Sequence, residues 1–324
     1  MSTVPSRTVA DLETIGSSLH RPECVVPMPS GDVFVPEWPG GVTVIRAGGN
    51  IQTWRARDTA IDLRPNGVAL TPDGAFLIAN LGDDGGVWRL STDGRLTPFV
   101  LEVEGVALPP ANFVTIDFQG RTWITVSTRH RPRQQAWRPD IADGFIVLVD
   151  DAGARIVADG LHYTNEVRID RAGQSLWVAE TFGRRIRRFS IRPDGALGSP
   201  ESVLSLDAGF FPDGLALDAA GGLWVTSLVS NRLLRLHDDR LQTVIEDVND
   251  EFVQAADHAF AAGAMVAEHL GPIPRTTLGQ LTSVGFGGAD GRTVYLGTLH
   301  SDAVYRFRTT VAGADVPYWT YRAP

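Results

Sequence analysis

Six polar residues recur in one register along the 324-residue chain. Glu23, Asn66, Asn112, Asn165, Asp213 and Ser283 each stand eight residues before a glycine: Gly31, Gly74, Gly120, Gly173, Gly221 and Gly291. All six side chains carry an oxygen donor, and none is apolar. Brought together on rigid supports, such a set would suit a hard divalent cation, which takes several carboxylate and amide oxygens. Glu23 and Asp213 would supply two negative charges to balance it. No Cys or His shares the register, which argues against a zinc or copper site built on thiolates or imidazoles. Asn and Asp also open turns through their own side chains, and that plainer role would explain any one Asn taken alone. It accounts less well for six aligned oxygen donors.

Each of these residues opens the same local pattern: alternating residues, a turn ending in Gly, then an apolar run. Residues 66–81 (NGVALTPDGAFLIANL) and 213–228 (DGLALDAAGGLWVTSL) are clear copies, each reading as two strands around a turn. Further strand-like runs with turn signals lie between the copies, such as 86–90 before Asp93-Gly94 and 185–191 before Asp194-Gly195. Four strands per unit and six units predict an all-β chain, a six-bladed β-propeller filling residues 1–324 as one domain. The copies start 43, 46, 53, 48 and 70 residues apart, so something is inserted before the last blade. Within 251–270 (EFVQAADHAFAAGAMVAEHL), Phe252, Ala255, Ala256 and Ala259 fall at helical spacing and predict a short helical insertion at about 250–270. It would cover a blade edge or shape the mouth, with His258, Glu268 and His269 on a solvated face.

Composition narrows the function. A formal charge of -9 opposes attraction to phosphate backbones, so nucleic acid is not expected as a partner. No stretch approaches the apolar length of a membrane span, and residues 1–20 lack the apolar core of a secretory leader, so we expect a cytoplasmic protein without membrane contact. Cys24 is the single cysteine and forms no internal disulfide. The oligomeric state is left open. The chain contains no G-x-S-x-G elbow, phosphate-binding loop or H-E-x-x-H motif. The glycine-rich run 285–291 lies inside a predicted hairpin, not between a strand and a helix. Trp88, Trp123, Trp177 and Trp224 fall in strand runs and are expected to pack between blades.

The phrases RPEC, RPNGVAL, PPANFVTID, TNEVRID and FPDGLALDAAGGLWV resemble the senescence marker protein, gluconolactonase and luciferin-regenerating enzyme family over residues 21–307. The resemblance implies a six-bladed propeller with a catalytic divalent cation, calcium first, with magnesium, manganese and zinc as further candidates. Carried over by motif, it makes Glu23, Asn112, Asn165 and Asp213 the metal ligands and Asp213 also the catalytic base or nucleophile. Asn66 and Ser283 then become second-ring residues that orient ligands or water. The chain departs from many members at Cys24, Val25 and Val26, which replace a Gly-Pro-Trp pattern, and at Phe113, which stands in place of Asp. A pocket of different shape is expected above the cation.

The expected function is a divalent-metal-dependent hydrolase of small molecules, a lactonase opening a sugar-type or other small lactone. Alternatives are a non-hydrolytic lyase or isomerase that stabilises an enolate, and a binding propeller whose ion is structural. Candidate substrate contacts are Arg129, His130, Arg131 and Arg133 in the basic loop 127–133 (STRHRPR), together with Phe113, His162 and His300.

Overall fold

The repeat register becomes geometry at the turns. In a computed structural model that describes residues 4–57, 60–321 and 323–324, all six register glycines take the left-handed region, with φ between 67° and 89°. The amide of each donates to the carbonyl three residues earlier, as Gly74 does to Thr71 and Gly221 to Asp218. A side chain is strained in that backbone conformation, which fixes where each hairpin reverses.

Every repeat is a four-stranded antiparallel sheet. Blade one runs through Val26–Pro27, Val33–Glu37, Gly41–Ile45 and Ile51–Arg55, and blade two through Pro65–Leu70, Phe76–Asn80, Val87–Leu90 and Leu96–Val100. Blade three comprises Phe113–Ile116, Thr122–Val126, Gly144–Asp150 and Gly153–Leu161, and blade four Thr164–Ile169, Ser175–Glu180, Arg185–Ser190 and Glu201–Ser205. Blade five comprises Phe210–Leu217, Leu223–Val229, Arg232–His237 and Arg240–Glu246. Blade six is completed from both ends of the chain. Leu281–Gly287, Thr293–Thr298 and Val304–Arg308 are joined on the outer edge by Glu13–Ile15, with Thr14 opposite Tyr305. This pairing covers an edge that would otherwise be open and closes the ring.

The core lies between blades and is built from inner-strand and second-strand residues such as Phe34, Phe76, Trp123 and Trp224. Trp123 and Trp224 are wholly buried, and each donates its indole N–H to a buried aspartate, Asp117 and Asp218, at 2.8 Å. Arg121 and Arg235 pair with the same carboxylates at 2.7 Å. Trp88 and Trp177 are only half-buried.

The insertion before blade six is helical but shorter than expected. The helix spans Asp250–Ala261, and Asn249 caps it by accepting from the Phe252 amide at 3.1 Å. It ends before Gly263, which takes a φ of 64°, and a separate 3-10 turn, Ala267–Leu270, follows. Ala256 and Phe260 are the buried face. Phe260 packs on Phe182 and Phe211, with the Arg184 guanidinium over both the Phe211 and Phe260 rings and paired to Asp257. His258 and Glu268 are exposed. The His269 ring accepts from the Val266 amide at 3.1 Å. At the far end of the chain, the 3-10 turn Pro317–Thr320 lies across the other face, where Trp319 donates to the Pro27 carbonyl at 3.0 Å. Among the described residues no helix is long and apolar enough to cross a membrane.

Candidate metal centre

The first residues of the inner strands do not follow regular pairing. In blades two, four and five the register between the inner and second strands shifts across Pro65/Val68, Thr164/Val167 and Pro212/Leu215, and in blade six across Leu281/Ser283. A bulge of this kind re-aims the side chains it contains, and it falls on Asn66, Asn165 and Asp213 and beside Ser283. Gly214 follows Asp213 where a Cβ would lie 2.3 Å from the Thr282 carbonyl oxygen and 2.6 Å from Ser283 Cα. The adjacent blade therefore approaches closely beside Asp213.

Glu23, Asn112, Asn165 and Asp213, supplied by four different blades, line one cavity of about 510 Å³ at this end of the ring. All four are buried, Asp213 to 2% exposure. Each presents at least one oxygen without a protein partner among the described residues. Asn165 spends its amide N–H on Thr181 Oγ1 at 3.1 Å, so its carbonyl is the unused end. Asn112 Oδ1 is buried without a hydrogen-bond partner. Asp213 has no ion pair or hydrogen bond among the described residues. Two carboxylates and two amide carbonyls, one of them an orphan, match what calcium or magnesium takes. Among the described residues no group of three or more His, Cys, Asp or Glu side chains is arranged for a metal, so a centre here depends on its two amides. On this chemistry the residues fit a hard cation and not a soft one.

The surrounding charges are unevenly spent. Arg21 holds Glu23 Oε2 at 2.6 Å and stacks over Trp38 with its guanidinium carbon 4.5 Å from the ring centroid. Burial, then the charges of Glu23 and Glu166, push the Asp213 carboxyl well above the usual carboxylate range, with Arg21 and Arg133 pulling the other way. Glu166 lies beneath the cavity. It receives the Ser283 hydroxyl at 2.8 Å and the Leu215 amide at 3.1 Å, and pairs with Arg168 at 2.7 Å. Burial raises its carboxyl too, against the opposing pull of Arg168. Below it, Cys24, Arg168 and Tyr318 line a small cavity of about 50 Å³ at the opposite end of the axis.

Asn66 and Ser283 stand behind the four oxygen donors in different ways. Asn66 donates to the Asn112 backbone carbonyl at 2.9 Å, within reach of orienting that residue. Ser283 serves Glu166. Of the substrate candidates, Arg131, Arg133 and His300 line the cavity. His300 sits 2.7 Å from the Leu270 carbonyl, and burial lowers its basicity. The others lie elsewhere. Arg129 is taken by Asp159 at 2.8 and 2.9 Å, and His130 by Asp143 at 2.9 Å. His162 is 3.0 Å from Arg185 beside Glu180, and Phe113 faces the small opposite cavity under Arg168.

Sequence reasoning passed over Glu166, although a signal was present. The positions following Asn66 and Asp213 are glycines, whereas the one following Asn165 is a carboxylate. Nothing local marks Arg21 as the partner of Glu23, because their side chains meet only through a left-handed residue at position 21, with a φ of 56°.

Comparison with known proteins places this geometry. The family model described as the SMP-30/Gluconolactonase/LRE-like region matches residues 39–265. No curated protein matches the sequence. Among solved structures, a gluconolactonase from Xanthomonas campestris is 19% identical with a TM-score of 0.67, covering 92% of this chain and 89% of its own. A calcium-binding regucalcin from Agrobacterium tumefaciens is 16% identical with a TM-score of 0.67, covering 98% and 99%. A virginiamycin B lyase from Staphylococcus aureus is 14% identical with a TM-score of 0.57, covering 91% and 98%. At these identities the structures share the fold with this chain.

Proposed function

The chain belongs to the SMP-30/gluconolactonase/LRE-like family, and from that membership and the axial cavity we propose that it is a divalent-cation-dependent hydrolase that opens a small lactone. The observation that carries the reading is the convergence of Glu23, Asn112, Asn165 and Asp213 on one cavity, with the buried Asn112 Oδ1 unpartnered. These four would hold the ion, calcium first. When bound, the ion supplies positive charge that polarises a carbonyl and stabilises the charge developing on its oxygen.

The chain's own groups supply the rest. Asp213 is the base: a buried carboxylate that lines the cavity without a protein partner is suited to take a proton from a water beside the carbonyl carbon and to return it to the ring oxygen as the C–O bond breaks. Attack by the same carboxylate on that carbon would use the same placement: the ring C–O bond breaks, the leaving alkoxide takes a proton from solvent, and water then cleaves the anhydride to release the hydroxy acid. Arg21 fixes one oxygen of Glu23, so that its other oxygen is the free one. Leu228, Leu270 and Leu299 on the cavity wall limit water around the ring to be opened.

Purified protein is assayed for bound metal and for hydrolysis of a panel of lactones with calcium, magnesium, manganese and zinc, beside Asp213→Asn. Metal-dependent turnover that the substitution abolishes supports the proposal. Inactivity of the wild type across the panel with every ion overturns it. Isotopically labelled water separates hydrolysis from an elimination: one labelled oxygen enters the product acid in the first case and none in the second.

A further inference from the structure

One wall of the cavity is formed by residues 127–137, which follow the second strand of blade three. Its four basic side chains have separate fates. Arg129 is paired with Asp159, and the His130 ring lies within hydrogen-bond distance of Asp143. Arg131 and Arg133 meet no carboxylate among the described residues. Arg131 donates to the Asp83 backbone carbonyl at 3.0 Å. Arg133 donates one Nη to the Ser127 hydroxyl at 3.1 Å and lies over the Tyr163 ring at 5.4 Å, while its Nε is buried without a partner. Tyr163 is itself held, its hydroxyl accepting from the Trp137 indole at 3.0 Å. A half-buried guanidinium stacked on a fixed ring, with a donor unused, is a group prepared for an acceptor that arrives from outside.

The charge around the cavity points the same way. Its lining carries Arg21, Arg131 and Arg133 against Glu23, Asp83 and Asp213, and Arg21 is already committed to Glu23. A divalent cation on the proposed ligands would leave the cavity with two excess positive charges, and Arg131 and Arg133 are the lining arginines with no carboxylate partner among the described residues. Arg133 is near enough that its charge acts on Asp213. A neutral lactone would leave these guanidiniums partly desolvated and unpaired, which is costly. A carboxylate would satisfy them with charge-assisted hydrogen bonds.

We infer that Arg131 and Arg133 form an anion subsite beside the cation centre, and that the substrate is a lactone or ester bearing a carboxylate close to the carbonyl that is cleaved. This substrate class rests on the hydrolase reading, but the subsite can be tested without turnover. The probes are tetrahydrofuran-2-carboxylate and its neutral carboxamide, a pair of equal size with no ring ester to cleave. Calorimetry measures their binding to the calcium-loaded wild-type protein, and then to the protein carrying Arg131→Gln, Arg133→Gln or both.

We expect the carboxylate to bind at least tenfold more tightly than the carboxamide, with the preference falling to within twofold in the double variant. Added salt should weaken the carboxylate alone. Arg131 is exposed, so Arg131→Gln keeps the test valid if Arg133→Gln lowers the melting temperature. Equal binding of the two probes, no binding of either, or a preference that survives loss of both arginines overturns the subsite. If the wild type hydrolyses nothing while the arginine-dependent preference holds, the hydrolase reading fails and the anion subsite stands.

Discussion

Replacing Asp213 by Asn stabilises the metal-free protein and removes its stabilisation by calcium, so the two melting curves cross as calcium is added. In the absence of metal the wild type keeps a carboxylate that is 2% exposed, has no hydrogen bond or ion pair among the described residues, and faces Glu23 and Glu166. Removing an uncompensated buried charge of this kind is worth about 1–3 kcal/mol. Unfolding entropy of about 2.1 cal/mol/K per residue over 324 residues makes each kcal/mol equivalent to about 1.5 °C. The metal-free variant therefore melts about 1.5–4 °C above the metal-free wild type. Calcium at a hundred times its dissociation constant stabilises the wild type by about 2.7 kcal/mol, or about 4 °C. The variant, left with one carboxylate and three neutral oxygens, moves by less than about 1 °C at the same concentration. Scanning calorimetry at pH 7, in chelator and at stepped calcium concentrations, reads both effects. A variant that melts below the wild type in chelator and still gains about 4 °C with calcium refutes the assignment of Asp213 as an unpaired ligand.

Three further outcomes follow from the same structure. Glu166→Gln strands Arg168, so it lowers stability by about 2–4 kcal/mol in denaturant titration, whereas an unchanged midpoint would mean that Arg168 finds another partner. Glu180, fully buried, is pushed up by burial but held lower overall by hydrogen bonds from Arg185 and the His162 amide and by the charge of Arg187. Its contribution is complete above the unfolded carboxyl value of about 4.3 and is lost as pH falls through its lower folded value. Stability curves of the wild type and Glu180→Gln therefore converge below about pH 4, and curves that stay parallel down to pH 2 would contradict this. Cys24, 3% exposed, reacts with an aromatic disulfide reagent only at the rate of unfolding, and fast labelling of native protein would show that the small opposite cavity opens.

The fold was legible because closure of a ring forces repetition. Each blade needs a left-handed turn at the same distance from its inner edge, and the six glycines report that distance directly. The end of the insertion was less legible, since Gly263 interrupts an alanine-rich run whose spacing alone suggests continuation. For the centre, the register brings the six opening residues to one end of the axis, and four of them line the cavity. What the register does not encode is which groups meet across the axis. Glu166 of blade four reaches Ser283 of blade six, and Tyr318 arrives from the far end of the chain. Those meetings depend on distances between blades, which periodicity leaves undetermined.

They also decide how the charge is arranged. Three buried carboxylates, Glu23, Glu166 and Asp213, approach one axis, and such a cluster is unfavourable unless each acid has a counter-charge. Arg21 answers Glu23 and Arg168 answers Glu166. Asp213 is left over, beside two free amide oxygens and the second oxygen of Glu23. In the basic loop, where Arg129 is taken by Asp159 and His130 by Asp143, Arg131 and Arg133 are left over as well. Asp213 and the two guanidiniums line the same cavity, where a divalent cation would answer the first and an anionic ligand the second. For that reason metal loading and carboxylate binding should be coupled, with calcium tightening the binding of tetrahydrofuran-2-carboxylate more than that of its carboxamide. Titrations of the two probes with and without calcium measure that coupling, and equal gains for both would show that the two sites are independent.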